Sequence, residues 1–142
     1  MSEESTTPDL VELTRRAYES WSRRDLGGVM RDYDHDVVFD VSAAGLGCYE
    51  GQAAVRGFFE DWLGACEEFE LEQILDLGNG VVFAVVRQNA RPVGSTGYVQ
   101  MHHANVGVWV NGVTVRVTHY NDIDKARAAA ERLVQERAQS DA

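Results

Sequence analysis

The sequence predicts an α+β domain with helices on one face of a curved sheet. Three observations carry this. Apolar residues recur at helical spacing early in the chain, between about 8 and 33 and again between 52 and 66. Strand-like apolar runs then follow from Phe69 to Tyr120, broken by Asn79-Gly80 and Asn111-Gly112, dipeptides that mark tight hairpins. A last amphipathic stretch closes the chain. Helices preceding hairpin-linked strands give segregated α and β layers.

Thr7-Pro8 suits the start of the first helix, since Thr caps well and Pro is tolerated at the first helical position. Leu10, Leu13, Ala17 and Trp21 share one side of it, with Tyr18 beside them. Asp25 caps a short second helix through Leu26, Val29, Met30 and Tyr33, weakened by Gly27-Gly28. DHD at 34–36 reads as a turn and Val37–Val41 as a short strand, with Asp40 unfavourably inside it. Residues 42–51 read as a glycine-rich loop. It is no phosphate loop, because no Gly-Lys-Ser/Thr helix start follows. Val55, Phe58, Phe59, Trp62 and Leu63 form the apolar face of a helix over about 52–66. Strands follow at Phe69–Leu77 and Val81–Ala90, the second apolar enough to be covered on both faces. Pro92–Thr96 reads as a loop. Asn121 or Asp122 caps the last helix.

A chain of 142 residues with 44% hydrophobic content fits one globular domain over 7–138, flanked by tails at 1–6 and 139–142. A net charge of −10 with no basic patch argues against nucleic-acid or anionic-membrane partners. Cys48 and Cys66 lack metal-ligand spacing and read as free thiols. With no apolar leader segment, the expectation is a cytoplasmic protein.

The long hairpin Gly97–Asp122 holds His102, His103, Asn105 and His119 in arms rich in Val, Thr, Tyr and Trp. Two registers are open. A two-residue turn pairs Val110 with Val113 and puts His119 among the valines. A three-residue loop with Gly112 as the bulge pairs Trp109 with Val113 and puts His119 on one face with Met101, His103, Asn105 and Trp109. A one-residue slip reverses a strand's faces, so the register decides whether these polar groups converge. Binary patterning favours the first.

The stretches AYESWSRRDLGGVMRDYDHDVVFD, YEGQAAVRGFFEDW, ILDLGNGVVFAVVRQNARPVGSTG and VRVTHYNDIDKARAA, in this order and spacing, resemble the nuclear transport factor 2-like superfamily over residues 8–138. The branch they are most similar to is the SnoaL-like polyketide-cyclase type of actinobacteria. The resemblance implies a cone: a bent antiparallel sheet closed by three to four helices around an internal cavity. It also implies that Asn105 and His119 point inward, which selects the bulged register. Ketosteroid isomerase, scytalone dehydratase and limonene-epoxide hydrolase share the fold but catalyse different reactions, so the fold does not give the reaction. The Tyr, Asp base and Asp donor of ketosteroid isomerases fall on Ala17, Val41 and Asn105. The catalytic Asp of SnoaL-type cyclases falls on His119. Steroid-type isomerisation does not carry over.

The expected site is therefore His119 as acid–base group, Asn105 as hydrogen-bond donor to an oxyanion, and Asp40 as orienting carboxylate. The cavity lining would come from His103, Tyr18, Trp21, Phe58, Phe59, Trp62, Met101, Trp109 and Val117, around a small, mostly apolar metabolite. No cofactor is implied. No metal is expected, because His102 and His103 point to opposite faces of their strand. Ala104, Val106, Val108, Thr118 and Tyr120 on the other hairpin face are apolar enough to suggest a homodimer interface. The functional expectation is acid–base catalysis of isomerase, cyclase, dehydratase or hydrolase type, the alternative a non-catalytic binding or dimerisation module.

Overall fold

The computed structural model describes residues 9–90, 97 and 99–140, with the side chains of 65–68, 90, 99 and 140 outside that description. The 1–6 tail, the Thr7-Pro8 start, the Pro92–Thr96 loop and the last two residues fall outside it. Among the described residues four α-helices and six strands follow in the order α1 (Leu10–Ser22), α2 (Leu26–Val29), β1 (Tyr33–Asp40), β2 (Cys48–Glu50), α3 (Gln52–Ala65), β3 (Cys66–Gly78), β4 (Val81–Ala90), β5 (Val99–Val110), β6 (Val113–Tyr120) and α4 (Ile123–Ser140). The strands form one open, curved sheet in the order β2-β1-β6-β5-β4-β3.

Asp9 caps α1, accepting from the Glu12 N–H at 3.2 Å. Asp25 caps α2 in the same way, through Gly28 N–H at 3.1 Å. Gly28 has a reason beyond flexibility: a Cβ there would lie 2.4 Å from Ser20 Oγ, so only glycine lets α2 fold back against α1. β1 begins earlier than Val37. DHD, expected as a turn, lies inside the strand; Asp34 Oδ2 accepts from Asp36 N–H at 2.9 Å, and the pairing to β6 is irregular between Tyr33 and Val38. β1 lies parallel to β6 and antiparallel to β2, a three-residue strand in the segment expected to be loop.

Both hairpins turn on two residues with positive φ, Asn79-Gly80 and Asn111-Gly112, as a right-twisted hairpin requires. The long hairpin combines features of both expected registers. At its tip Val110 pairs with Val113 and Trp109 with Thr114, as patterning favours. Val115 is then left without a partner, a β-bulge, and from Val108↔Arg116 onward the pairing has shifted by one. Asn105 therefore lies opposite His119. The expected Trp109–Val113 pairing is not formed. The convergence it was meant to produce comes from a bulge inside β6 instead of a longer turn.

The sheet is apolar on both sides. Toward α1–α3 the core holds Val37, Phe39, Val41, Val55, Phe59 and Val117. Phe59 sits edge-on to Trp21 at 5.2 Å and to Phe39 at 5.0 Å. On the other side α4 lays Ala126 and Ala130 against Val81, Phe83, Val85, Ala104 and Val106. Thus Ala104 and Val106, read from sequence as facing a second subunit, are covered within the chain. The small alanines of α4, which looked like a weak stripe, are what let it approach. Asn79 Nδ2 donates to Val134 O at 2.9 Å, and Arg137 Nη2 to Trp109 O at 3.3 Å, tying α4 to both hairpin ends.

Candidate functional site

The bulge fixes which β6 side chains face inward: Thr114, Val117 and His119, spaced three and then two apart. Beside them β5 contributes His103, Asn105, Gly107 and Trp109, and β4 contributes Val82, Ala84, Val86 and Gln88. Thr14, Ala17, Tyr18 and Trp21 of α1 close over these at i, i+3, i+4 and i+7, one face of the helix. The cavity between them has a volume of about 130 Å³. Leu46 both lines it and is 40% exposed, so it meets solvent at the loop after β1. Nine of the lining residues are aromatic: four Phe, three Trp and two Tyr. No Asp, Glu, Lys or Arg lines it among the described residues.

Two histidines meet on this face, their rings 4.4 Å apart. Each is only 6% exposed. Burial holds His103 down to about 3, and the neighbouring His119 pushes it the same way. Burial also lowers His119, partly opposed by its hydrogen bond to Asn121. Both imidazoles are neutral at pH 7. His119 Nε2 lies 3.0 Å from Asn121 Oδ1, while Asn121 Nδ2 donates to Ala43 O at 3.0 Å. That second bond leaves the amide oxygen for the ring, so Nε2 carries the proton and Nδ1 keeps its lone pair.

Asn105 Nδ2 donates to Tyr18 Oη at 2.8 Å. Burial pushes the Tyr18 phenol up to about 12, so it stays protonated. Among the described residues three buried polar atoms have no partner: Thr14 Oγ1, His103 Nδ1 and Asn105 Oδ1. All three belong to residues that line the cavity.

The structure brings together His119, His103, Asn105, Tyr18, Trp21, Phe58, Phe59, Trp62, Trp109 and Val117. It does not bring in Asp40 or Met101. Asp40 takes the opposite face of β1, where it accepts from Ser42 N–H and Oγ and pairs with Arg116 Nη2 at 2.9 Å. Those hydrogen bonds from Ser42, with Arg116 behind them, hold its carboxyl below the usual range. It cannot orient His119; Asn121 does. Met101 pairs with Gln88, and it is Gln88 that lines the cavity at this level. Asn105 offers a carbonyl oxygen as its unpartnered atom, where a donor was expected. Asn121 was read only as a helix cap, a task Asp122 performs through Lys125 N–H. Its spacing of two from His119, one residue past the end of β6, was the available signal. His102 lies on the outer face, 2.6 Å from Glu72, which also holds Arg87. Among the described residues no group of three or more His, Cys, Asp or Glu is placed to hold a metal ion. No helix among them is long and apolar enough to cross a membrane.

The model of the SnoaL-like domain matches residues 14–119, most of the chain and all of the cavity's β5 and β6 residues. The chain belongs to the SnoaL-like domain family. The fold agrees with solved structures. A nuclear transport factor 2-like protein of unknown function from Burkholderia pseudomallei is 21% identical with a TM-score of 0.69, covering 84% of this chain and 95% of its own. Bal32a, from a soil-derived mobile gene cassette, is 18% identical with a TM-score of 0.69, over 78% of this chain and 86% of that one. TerC, co-crystallised with polyporic acid, is 16% identical with a TM-score of 0.66, over 85% and 97%. At these identities the likeness carries the SnoaL-like fold alone. No curated protein matches the chain.

Proposed function

We propose that this SnoaL-like chain binds a small, mostly apolar metabolite in the cavity and moves a proton on it with His119. One observation carries the reading: three buried, unpartnered polar atoms all belong to the lining of one aromatic cavity. Buried polar groups are almost always paired, and each one left unpaired costs roughly 1–3 kcal/mol. A ligand that meets them removes that cost. His119 supplies the chemistry, since a neutral imidazole with one nitrogen's proton fixed by Asn121 presents a lone pair to an acidic C–H or O–H. Isomerase, cyclase, dehydratase and hydrolase reactions all use such a step. That the described lining holds no Asp, Glu, Lys or Arg favours a second reading, binding without turnover.

Native mass spectrometry of the purified chain, followed by thermal-shift screening of neutral metabolites, tests binding. A bound mass or a shift that disappears on filling the cavity (Ala84→Trp) is expected. The proposal fails if no compound shifts the wild type. Turnover of a bound compound, lost in His119→Ala, then separates the catalyst from the carrier.

A further inference from the structure

We infer that the ligand is a neutral, flat ring compound bearing a hydroxyl group that donates a hydrogen bond to Asn105 Oδ1. The inference rests on the ligand-binding reading and gives the ligand its chemistry.

Charge comes first. A carboxylate, phosphate or ammonium entering this cavity would leave water and find no opposite charge, because the described lining holds no Asp, Glu, Lys or Arg. Stripping an ion of water without a partner is prohibitive. The net charge of −10 opposes anions even before entry.

Shape comes second. Tyr18 and Phe69 stack at 5.4 Å with planes 18° apart, and Phe58 and Trp62 at 6.0 Å and 24°. These four rings are among the nine aromatic side chains that line a space of about 130 Å³. An apolar protein cavity of roughly 150 Å³ accommodates benzene, so one ring fills most of this one. Larger substituents must leave through the opening beside Leu46.

Hydrogen bonding comes last and is the most selective. One N–H of Asn105 donates to Tyr18, which fixes the amide, and its Oδ1, an atom that can only accept, is left unpartnered. A ligand that also only accepts leaves this oxygen unpaired. Thr14 Oγ1 can give or take, and His103 Nδ1 lies two residues from Asn105 on the same face of β5. The polar atoms from β5 therefore lie along one strand, and a ring with its hydroxyl toward β5 meets them edge-on.

The test is calorimetric titration of the wild-type chain with four compounds of matched size: 4-methylphenol, 4-methylanisole, toluene and 4-methylbenzoate. The expected order is 4-methylphenol tighter than 4-methylanisole by roughly tenfold or more, with no binding of 4-methylbenzoate. In Asn105→Leu the phenol-to-anisole ratio should collapse to near one while toluene still binds. Equal or tighter binding of the anisole, or tight binding of the benzoate, overturns the inference while leaving the cavity a ligand site. Should neither toluene nor any other neutral ring bind, the ligand-binding reading itself fails. The wild-type comparison decides the matter even if the variant does not fold.

Discussion

Lowering the pH from 7 to 5 should destabilise this protein through His103 alone by about 2 kcal/mol. Folded His103 is held near 3 by burial, whereas an unfolded imidazole titrates near 6.5. A histidine depressed on folding contributes stability above its unfolded value and loses it as the pH falls toward the folded one, because only the unfolded chain takes up the proton. The window is therefore pH 6.5 down to about 3. At pH 5 the unfolded ring lies about 1.5 pH units below its midpoint and is almost wholly charged. The folded ring is still neutral. The difference integrates to about 2 kcal/mol relative to pH 7, a sizeable part of the roughly 5–15 kcal/mol that holds a domain together. Other groups titrate over the same range, so the measurement is a difference of differences. Urea unfolding of wild type and His103→Gln is followed at both pH values. The wild type should lose about 2 kcal/mol more than the variant, with unchanged m-values. Equal losses would refute the claim that the cavity keeps this ring neutral.

Three further outcomes follow from the geometry. Asn121→Ala should free His119 to exchange tautomers, seen as converging ring nitrogen shifts in NMR, and weaken any turnover; an unchanged nitrogen spectrum would remove Asn121 from the site. Asp40→Asn should leave ligand affinity and turnover untouched, since Asp40 faces Ser42 and Arg116 outside the cavity, and a clear loss of either would return it to the site. Val106→Asp should undock α4 and destabilise the fold by at least about 3 kcal/mol at every protein concentration; a loss that appears only on dilution in sedimentation would instead restore the subunit-interface reading of that face.

Much of the fold was legible because local chemistry and long-range packing agree in it. Two Asn-Gly turns, the helix of Phe58, Phe59 and Trp62, and the doubly covered β4 each follow from turn conformation or apolar period. The short strand β2 was not, because Gly45, Gly47 and Gly51 surround it with loop chemistry and only pairing to β1 makes it a strand. Nor was the cover over Ala104 and Val106. A sequence shows that a strand face is apolar but not whether the same chain returns to bury it, and the alanines of α4 carry little apolar signal. In the site, aromatic residues were found because they are large. Asn121 and Gln88 were missed because a polar residue's role depends on what stands opposite, which only the assembled sheet supplies. Asp40 was misplaced for the same reason: a carboxylate in a strand attracted suspicion, while Arg116 and Ser42, the partners that explain it, were far off in sequence or read as loop.

The unpaired Val115 acts as a phase shifter. On the tip side of it, β6 is wound to suit the turn; on the base side, the same strand is wound to suit the cavity, and the two halves need not agree. Patterning and pocket, which pulled the hairpin toward incompatible alignments, are each satisfied over their own few residues. Were the same strand to pair without the bulge, Val108 would meet Val115 and Gly107 would meet Arg116, and Arg116 and Thr118 would stand along the inner wall in place of Val117 and His119. The bulge, four positions from the histidine, is thus what turns His119 toward the cavity, while the turn, the helices and the sheet order owe nothing to it.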